Sequence, residues 1–132
     1  MRLLLDTNAY SALVEARPDV GQHIREAKEV MISTVVLGEV LFGFHNGSRY
    51  EQNRRVLDRF LREPNVRVIT LTLTTAERFG EIFASLRRRG RPIPTNDIWI
   101  AAQAIENDAD LLSSDPHFGY IENLSWLSFS AR

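Results

Sequence analysis

Residues 1–8, MRLLLDTN, indicate how the rest of the chain folds. The unbroken run of three leucines fits a short strand that is buried on both faces of a parallel sheet. The run ends at Asp6, and the next residues, Thr7 and Asn8, are of types that cap helices. This stretch therefore predicts a strand over residues 2–5, an acid at its carboxyl end and a helix directly after it.

The same alternation of strand and helix continues along the chain. Further strands are predicted at residues 30–33, 66–70, 110–113 and 126–129. Helices are predicted from Thr7 to about Ala16, from Pro18 to about Lys28, from Thr34 to about His45, from Ser48 to the stop at Pro64, from Thr74 to Gly90, and from Thr95 to about Asn107. This order predicts an α/β fold with a central parallel sheet covered by helices on both faces.

Three of these helix starts depend on capping residues. Ser48 with Glu51 and Thr74 with Glu77 have the spacing of a capping box. Thr95 follows a Pro-Ile-Pro segment and is predicted as the N-cap of its helix.

Composition narrows the class of protein. The chain has 132 residues, of which 44% are hydrophobic and 25% charged, so a single globular domain over residues 1–132 is expected and disorder is excluded. Cysteine is absent, which excludes a thiol nucleophile and fits a reducing cytoplasm. The apolar runs are too short for a signal peptide or a membrane span, so no membrane partner is expected.

Net charge does not identify a partner. The formal charge is −1, and the 16 basic residues are 15 arginines and one lysine. Many of the arginines fall in two blocks, Arg49 to Arg62 and Arg87 to Arg91. If four acids neutralise a metal ion, the remaining charge is −1 plus four, or +3. The bulk charge therefore neither excludes nor requires a nucleic-acid partner.

Three acids stand at the sheet edge where parallel sheets bind ligands, and a fourth lies within an apolar helix. Asp6 follows the first strand, Asp115 follows the fourth, and Asp97 lies in the first turn of the helix before that strand. Each of these also suits a cap, a helix dipole or a turn. Glu39 lies in a helix that is apolar nearly all round and is predicted to be buried, and a buried carboxylate needs a cation or hydrogen bonds.

A hard divalent cation is the common partner that these acids share. Mg²⁺, or Mn²⁺, prefers oxygen ligands from carboxylates on separate elements. Zinc is disfavoured because the three histidines are far apart in sequence and cysteine is absent. Asn8, Thr95 and Ser113 are candidates for orienting the ligands or bound waters.

Four sequence segments, taken in their order along the chain, resemble those of the PIN-domain nucleases, in particular the VapC-type toxins of bacterial and archaeal toxin–antitoxin pairs. They are LLLDTN, STVVLGEVLFG, PTNDIWIAAQA and LLSSDPHF, and the resemblance spans about the whole chain. Asp6, Glu39, Asp97 and Asp115 match the four acids of the family pattern, with Ser113 at the small-hydroxyl position. Pro116 and His117, after the fourth acid, depart from it.

The resemblance implies a single PIN-like domain that acts as a metal-dependent endoribonuclease. It implies a homodimer held inactive by a cognate antitoxin, with the four acids binding Mg²⁺ that activates a water for attack on RNA. Arg87, Arg88, Arg89 and Arg91 are then expected to guide RNA by phosphate contacts, although the cationic end of a solvated helix explains them equally well. Trp99 is a candidate for stacking a base, and a core position is the more usual one for tryptophan.

Two other protein classes that carry acids at a sheet edge do not match the residues of this chain. A dehalogenase-type phosphatase needs a second aspartate where this chain has Asn8, and a receiver domain needs an acid where it has Ile69-Thr70-Leu71. The alternatives that stay open are a non-catalytic RNA- or protein-binding module of the same fold, or a PIN nuclease of RNA processing.

Overall fold

The computed structural model describes residues 1–131 and confirms the parallel α/β fold. The strands are β1 (Arg2–Leu5), β2 (Glu29–Ser33), β3 (Val66–Ile69), β4 (Asp110–Ser113) and β5 (Trp126–Ser128). The helices are α1 (Thr7–Val14), α2 (Pro18–Glu26), α3 (Thr34–His45), α4 (Tyr50–Leu61), α5 (Leu73–Arg88) and α6 (Thr95–Glu106), and a 3₁₀ turn covers Pro116–Tyr120. Among the described residues, no helix is both long and apolar enough to cross a bilayer.

The sheet has the order β3-β2-β1-β4-β5, and every neighbouring pair is parallel. β1 is central, and its three leucines are 0% exposed. Leu4 faces one apolar cluster, which includes residues of α3, α4, α5 and α6, while Leu3 and Leu5 face a second cluster with α1 and α2. Helices therefore cover both faces of the sheet, which explains why the first strand is a continuous apolar run.

Both predicted capping boxes are wrong. α4 begins at Tyr50 with Arg49 as an N-cap that makes no side-chain cap hydrogen bond, so Ser48 does not cap it. The ring of Tyr50 packs 4.3 Å from the ring of His45 at the end of α3, and this contact fixes where the helix begins. Packing between consecutive helices has overridden the local signal.

α5 begins earlier than Thr74, because another threonine pair forms the capping box. Thr72 is the N-cap, its side chain accepts from the backbone N–H of Thr75, and the Thr75 hydroxyl accepts from the backbone N–H of Thr72. Thr75 is fully buried and its hydroxyl also donates to Glu106 at the end of α6. This hydrogen bond to α6 favours the capping box of Thr72 and Thr75 over one formed by Thr74 and Glu77. The helix ends at Arg88 with Arg89 as its C-cap, and Gly90 follows with a φ of 65°, which requires a residue that tolerates the left-handed region.

Two other helix starts differ from prediction by one residue. Asp6, rather than Thr7 or Asn8, is the N-cap of α1, and its side chain accepts from the Thr7 backbone N–H. Pro94 is the N-cap of α6, so Thr95 is the first helical residue and not the cap. The fixed φ of proline suits an entry to a helix, which makes a hydroxyl cap unnecessary here.

The prediction that α3 is buried is also wrong. Only Val36 and Val40 of this helix are buried, Glu39 is half-buried, and Phe42 is 69% exposed. An apolar helix surface that the fold leaves open has the same sequence pattern as a buried one, because both lack polar residues.

Candidate metal centre

All four predicted acids line one cavity of about 500 Å³ at the carboxyl edge of the sheet. Asp6 follows β1, Asp115 comes two residues after β4, Asp97 lies in the first turn of α6, and Glu39 lies in α3. The structure thus brings together acids that are up to 109 positions apart along the chain (115 minus 6). Parallel strands end at the same edge, so a strand-end position in the sequence is a position beside this cavity.

Asp6 is held rigidly at the base of the cavity. Its Oδ1 accepts from the Thr7 backbone N–H at 2.8 Å, and its Oδ2 accepts from the hydroxyl of Ser113 at 2.7 Å and the amide of Asn8 at 3.3 Å. The side chain is almost entirely buried, and burial raises its pKa, with the charge of Asp115 adding to that effect. These hydrogen bonds orient the carboxylate and partly offset the cost of burying it.

Ser113 and Asn8 connect Asp6 to the loop that carries Asp115. The Ser113 hydroxyl accepts from the backbone N–H of Asp115 at 3.0 Å, and the Asn8 carbonyl oxygen accepts from the backbone N–H of Ser114 at 3.1 Å. Asn8 also donates to Ser113 at 3.2 Å. Of the three candidates for orienting ligands, these two contact the acids. Thr95 is exposed and makes no hydrogen bond to them within the described part of the chain.

Asp97 has the most perturbed carboxyl group in the cavity. Burial raises its pKa to about 6, and the negative charges of Asp6 and Asp115 contribute to the rise. His117 opposes the rise, since its ring Nδ1 lies 3.4 Å from Asp97 Oδ2. Crowding of like charges of this kind is relieved by protonation or by a bound cation.

Glu39 contributes a carboxylate with an unsatisfied oxygen. Its Oε1 is buried and has no hydrogen-bond partner among the described residues. Burial raises the pKa of Glu39, the charge of Asp6 raises it further, and the neighbouring side chain of Thr7 opposes the rise. An orphaned acceptor beside three other acids calls for a positively charged partner.

These residues fit a divalent cation. The cavity offers several carboxylate oxygens on separate elements, one of them unpartnered, and neighbouring negative charges raise the pKa values of Asp6, Glu39 and Asp97. Hard divalent ions such as Mg²⁺ and Mn²⁺ take this kind of donor set. Asp6, Glu39, Asp97 and Asp115 are the residues that would hold the ion.

Two residues at the centre were not among the candidates from sequence. His117 lies beside Asp97 and Asp115, and the only sequence signal for it is its place two residues after Asp115. Arg17 lines the cavity, is 7% exposed and pairs with Asp19 at 2.7 Å. No spacing in the sequence distinguishes Arg17 from the other arginines.

The arginine block and Trp99 do not contact the acids. The four arginines are exposed, and Arg89 donates to the backbone carbonyl of Tyr120 at 2.6 Å. Trp99 stacks on Phe79 of α5 with ring centroids 3.9 Å apart. This tryptophan holds α5 against α6, so it is not free to stack a base.

Removing the Ser113 hydroxyl is expected to loosen the centre. Ser113→Ala deprives the buried Asp6 carboxylate of its shortest hydrogen bond, so affinity for Mn²⁺ is expected to fall by roughly 10–100-fold. The free energy of unfolding is expected to fall by about 1–3 kcal/mol. Ser114→Ala is the matched control, and Mn²⁺ titration with urea denaturation measures both effects. Equal Mn²⁺ affinities for the two variants would contradict this role of Ser113.

Comparisons with known proteins agree with this geometry. The PIN domain family matches residues 3–124. Ribonuclease VapC2 of Rickettsia felis is 30% identical over 129 residues, covering 94% of this chain and 95% of that protein. Ribonuclease VapC1 of Haemophilus influenzae is 30% identical over 132 residues, covering 96% of each.

A solved structure shows the same fold. The crystal structure of VapBC2 from Rickettsia felis, bound to a DNA fragment from the promoter, matches with a TM-score of 0.86 and 26% sequence identity. The match covers 98% of this chain and 100% of that one. Because the family matches nearly the full length and the relatives at this identity are VapC proteins, the chain belongs to the PIN-domain family, in its VapC group.

Proposed function

We propose that this chain is a metal-dependent endoribonuclease and the toxin of a type II toxin–antitoxin pair. The observation that carries the proposal is the convergence of four acids on one cavity, with the pKa of Asp97 raised to about 6. The ribonuclease names of the similar proteins support the reaction, and the solved complex named VapBC2 supports an antitoxin partner. Residues 1–132 act as one nuclease domain in this proposal.

The reaction is hydrolysis of a phosphodiester bond. A bound Mg²⁺ or Mn²⁺ supplies an activated water and neutralises charge on the phosphate. Asp6, fixed by Ser113 and Asn8, and Asp97 would hold the ion. Asp115 would complete its ligands, and Glu39 would reach the ion through a bound water. Glu39, whose Oε1 is unpartnered, accepts the proton that the attacking water loses. Water is the nucleophile, so the chain needs none of its own. The oxygen of water bonds to phosphorus, the bond from phosphorus to the 3′-oxygen breaks, and the 3′-oxygen takes up a proton from solvent.

A protein partner is supported by the open surface of α3. Phe42 is 69% exposed, and it borders a depression lined also by Val35, Gly38 and Glu39. Large exposed apolar side chains mark contacts with other proteins. A cognate antitoxin seated here covers Glu39 and keeps RNA from the acids. The proposed toxin is a homodimer and is located in the cytoplasm. The absence of cysteine is in accordance with that reducing compartment.

The test of the reaction uses the purified full chain and a single-stranded RNA. Chelator is expected to abolish cleavage, and Mg²⁺ or Mn²⁺ added in excess is expected to restore it. A chain that binds RNA but cleaves it under none of these conditions would instead be a non-catalytic binding module. Rescue of cell growth by a co-expressed antitoxin separates a toxin from a nuclease of RNA processing.

The arginine block is proposed to guide RNA to the cavity. Replacing Arg87, Arg88, Arg89 and Arg91 with glutamine removes four cations and no acid, so RNA affinity should fall and its dependence on salt should become shallower. The matched control replaces four exposed arginines elsewhere, Arg49, Arg55, Arg59 and Arg62. RNA affinity is measured from 50 to 200 mM salt for the parent and the block variant. If the affinity depends on salt to the same degree in both, the arginine block does not contact the RNA.

A further inference from the structure

His117 is held against two of the acids by the turn that follows β4. The Asp115 side chain accepts from the backbone N–H of His117 at 3.0 Å, and Pro116 begins the 3₁₀ turn. The next residue, Phe118, is 1% exposed and anchors the turn in the core. The imidazole therefore sits beside the cavity because the local backbone places it there.

The spacing of the donor atoms is that of ligands around one ion. His117 Nδ1 lies 3.0 Å from Asp115 Oδ1 and 3.4 Å from Asp97 Oδ2. One donor atom from each of the three residues lies within 4.8 Å of the other two. With bonds of about 2.1 Å in an octahedral site, neighbouring ligand atoms are roughly 3 Å apart. The two separations from His117 Nδ1 are close to that value.

The imidazole nitrogen of His117 changes which metal ion these three residues favour. Mg²⁺ takes oxygen ligands almost exclusively, whereas imidazole suits first-row transition metals. A set of two carboxylates and one imidazole therefore favours an ion that accepts both kinds of donor. The four-acid pattern by itself contains no such preference.

We infer that His117 is a direct metal ligand together with Asp97 and Asp115, and that it makes the centre select a first-row transition-metal ion over Mg²⁺. The inference rests on the proposed function, because it concerns the metal of the same centre. The competing explanation is that His117 only hydrogen-bonds to the two carboxylates, in which case its nitrogen does not touch the ion.

The test is electron spin echo spectroscopy of the full chain loaded with Mn²⁺. A directly bound imidazole produces modulation from its ¹⁴N nucleus, which is expected in the parent and absent in His117→Gln. His23→Gln, on α2, is the matched control and is expected to keep the modulation. Mn²⁺ affinity should fall by roughly 10–100-fold in His117→Gln, with a much smaller change for Mg²⁺.

The outcomes separate this inference from the proposed function. If Mn²⁺ binds to the parent without nitrogen modulation, or if the modulation survives in His117→Gln, then His117 is not a ligand. Either result leaves the carboxylate centre intact. Mn²⁺ that stays entirely free in the parent overturns the centre and the inference together. Labelling the parent's histidines with ¹⁵N shows without a substitution whether a histidine binds the ion, and neither His23 nor His45 lines the cavity. A variant that fails to fold therefore does not prevent the test.

Discussion

Asp97→Asn is expected to lower the rate of RNA cleavage by on the order of 10³-fold while the fold persists. Asparagine keeps the size of the side chain and its place in the first turn of α6, and it removes the charge that would bind the ion. In the metal-free protein the loss also relieves repulsion from Asp6 and Asp115, so thermal stability is expected to stay the same or rise.

The control for this substitution is Asp108→Asn, which removes the same charge from an exposed loop after α6. Single-turnover cleavage of a labelled RNA and circular dichroism measure rate and fold for the parent and both variants. If the Asp97→Asn variant cleaves RNA as fast as the parent, Asp97 has no part in the reaction.

Divalent metal is expected to stabilise the protein strongly at pH 7.5 and weakly at pH 5. A ligand at a hundred times its Kd adds about 2.7 kcal/mol to the free energy of unfolding, which raises Tm by roughly 5–15 °C for a chain of this size. At pH 5 the ion must displace protons from the cavity, so the gain shrinks.

The raised pKa values determine how the stability of the metal-free protein changes with pH. Because the pKa of Asp97 is about 6 in the folded chain, against 3.8 for an ordinary aspartate, the folded state binds more protons than the unfolded state between these values. Stability of the metal-free protein therefore decreases as pH rises through this window and stays lower above it. Asp6 and Glu39, whose pKa values are also raised, act in the same direction.

Melting curves with and without Mn²⁺ at the two pH values measure this linkage. Asp6→Asn is the informative variant, because Asp6 is central to the cavity and its loss should abolish most of the metal response. A Tm that Mn²⁺ leaves unchanged at pH 7.5 in the parent would be evidence against a cation in this cavity.

The sheet and the gathering of the acids follow from short-range patterns. The leucine run of β1 and the apolar β4 each end at a polar residue, and parallel topology places those ends together. Asp6 and Asp115 were therefore predictable as neighbours from their positions alone. Glu39 was predicted from a helix expected to be buried. That helix is open on one side, but Oε1 of Glu39 is itself buried, so the argument that it needs a partner still applies.

The features that sequence did not predict depend on contacts between distant elements. The cap of α5 is chosen by a bond from Thr75 to Glu106 of another helix. The exposure of Phe42 depends on which faces of α3 the fold leaves uncovered, and a buried and an open apolar face have the same pattern. The approach of His117 to Asp97 depends on a 3₁₀ turn packed by Phe118.

The chemical nature of the RNA ends that cleavage leaves distinguishes attack by a metal-activated water from attack by the RNA's own 2′-hydroxyl. If the acids hold an ion that activates water against the phosphodiester, with the 3′-oxygen as leaving group, the products carry 5′-phosphate and 3′-hydroxyl ends. These ends are expected only when Mg²⁺ or Mn²⁺ is present, and Asp97→Asn should leave the RNA intact. Products with 2′,3′-cyclic phosphate ends, or cleavage that persists in excess chelator, would contradict a metal-dependent reaction at this centre.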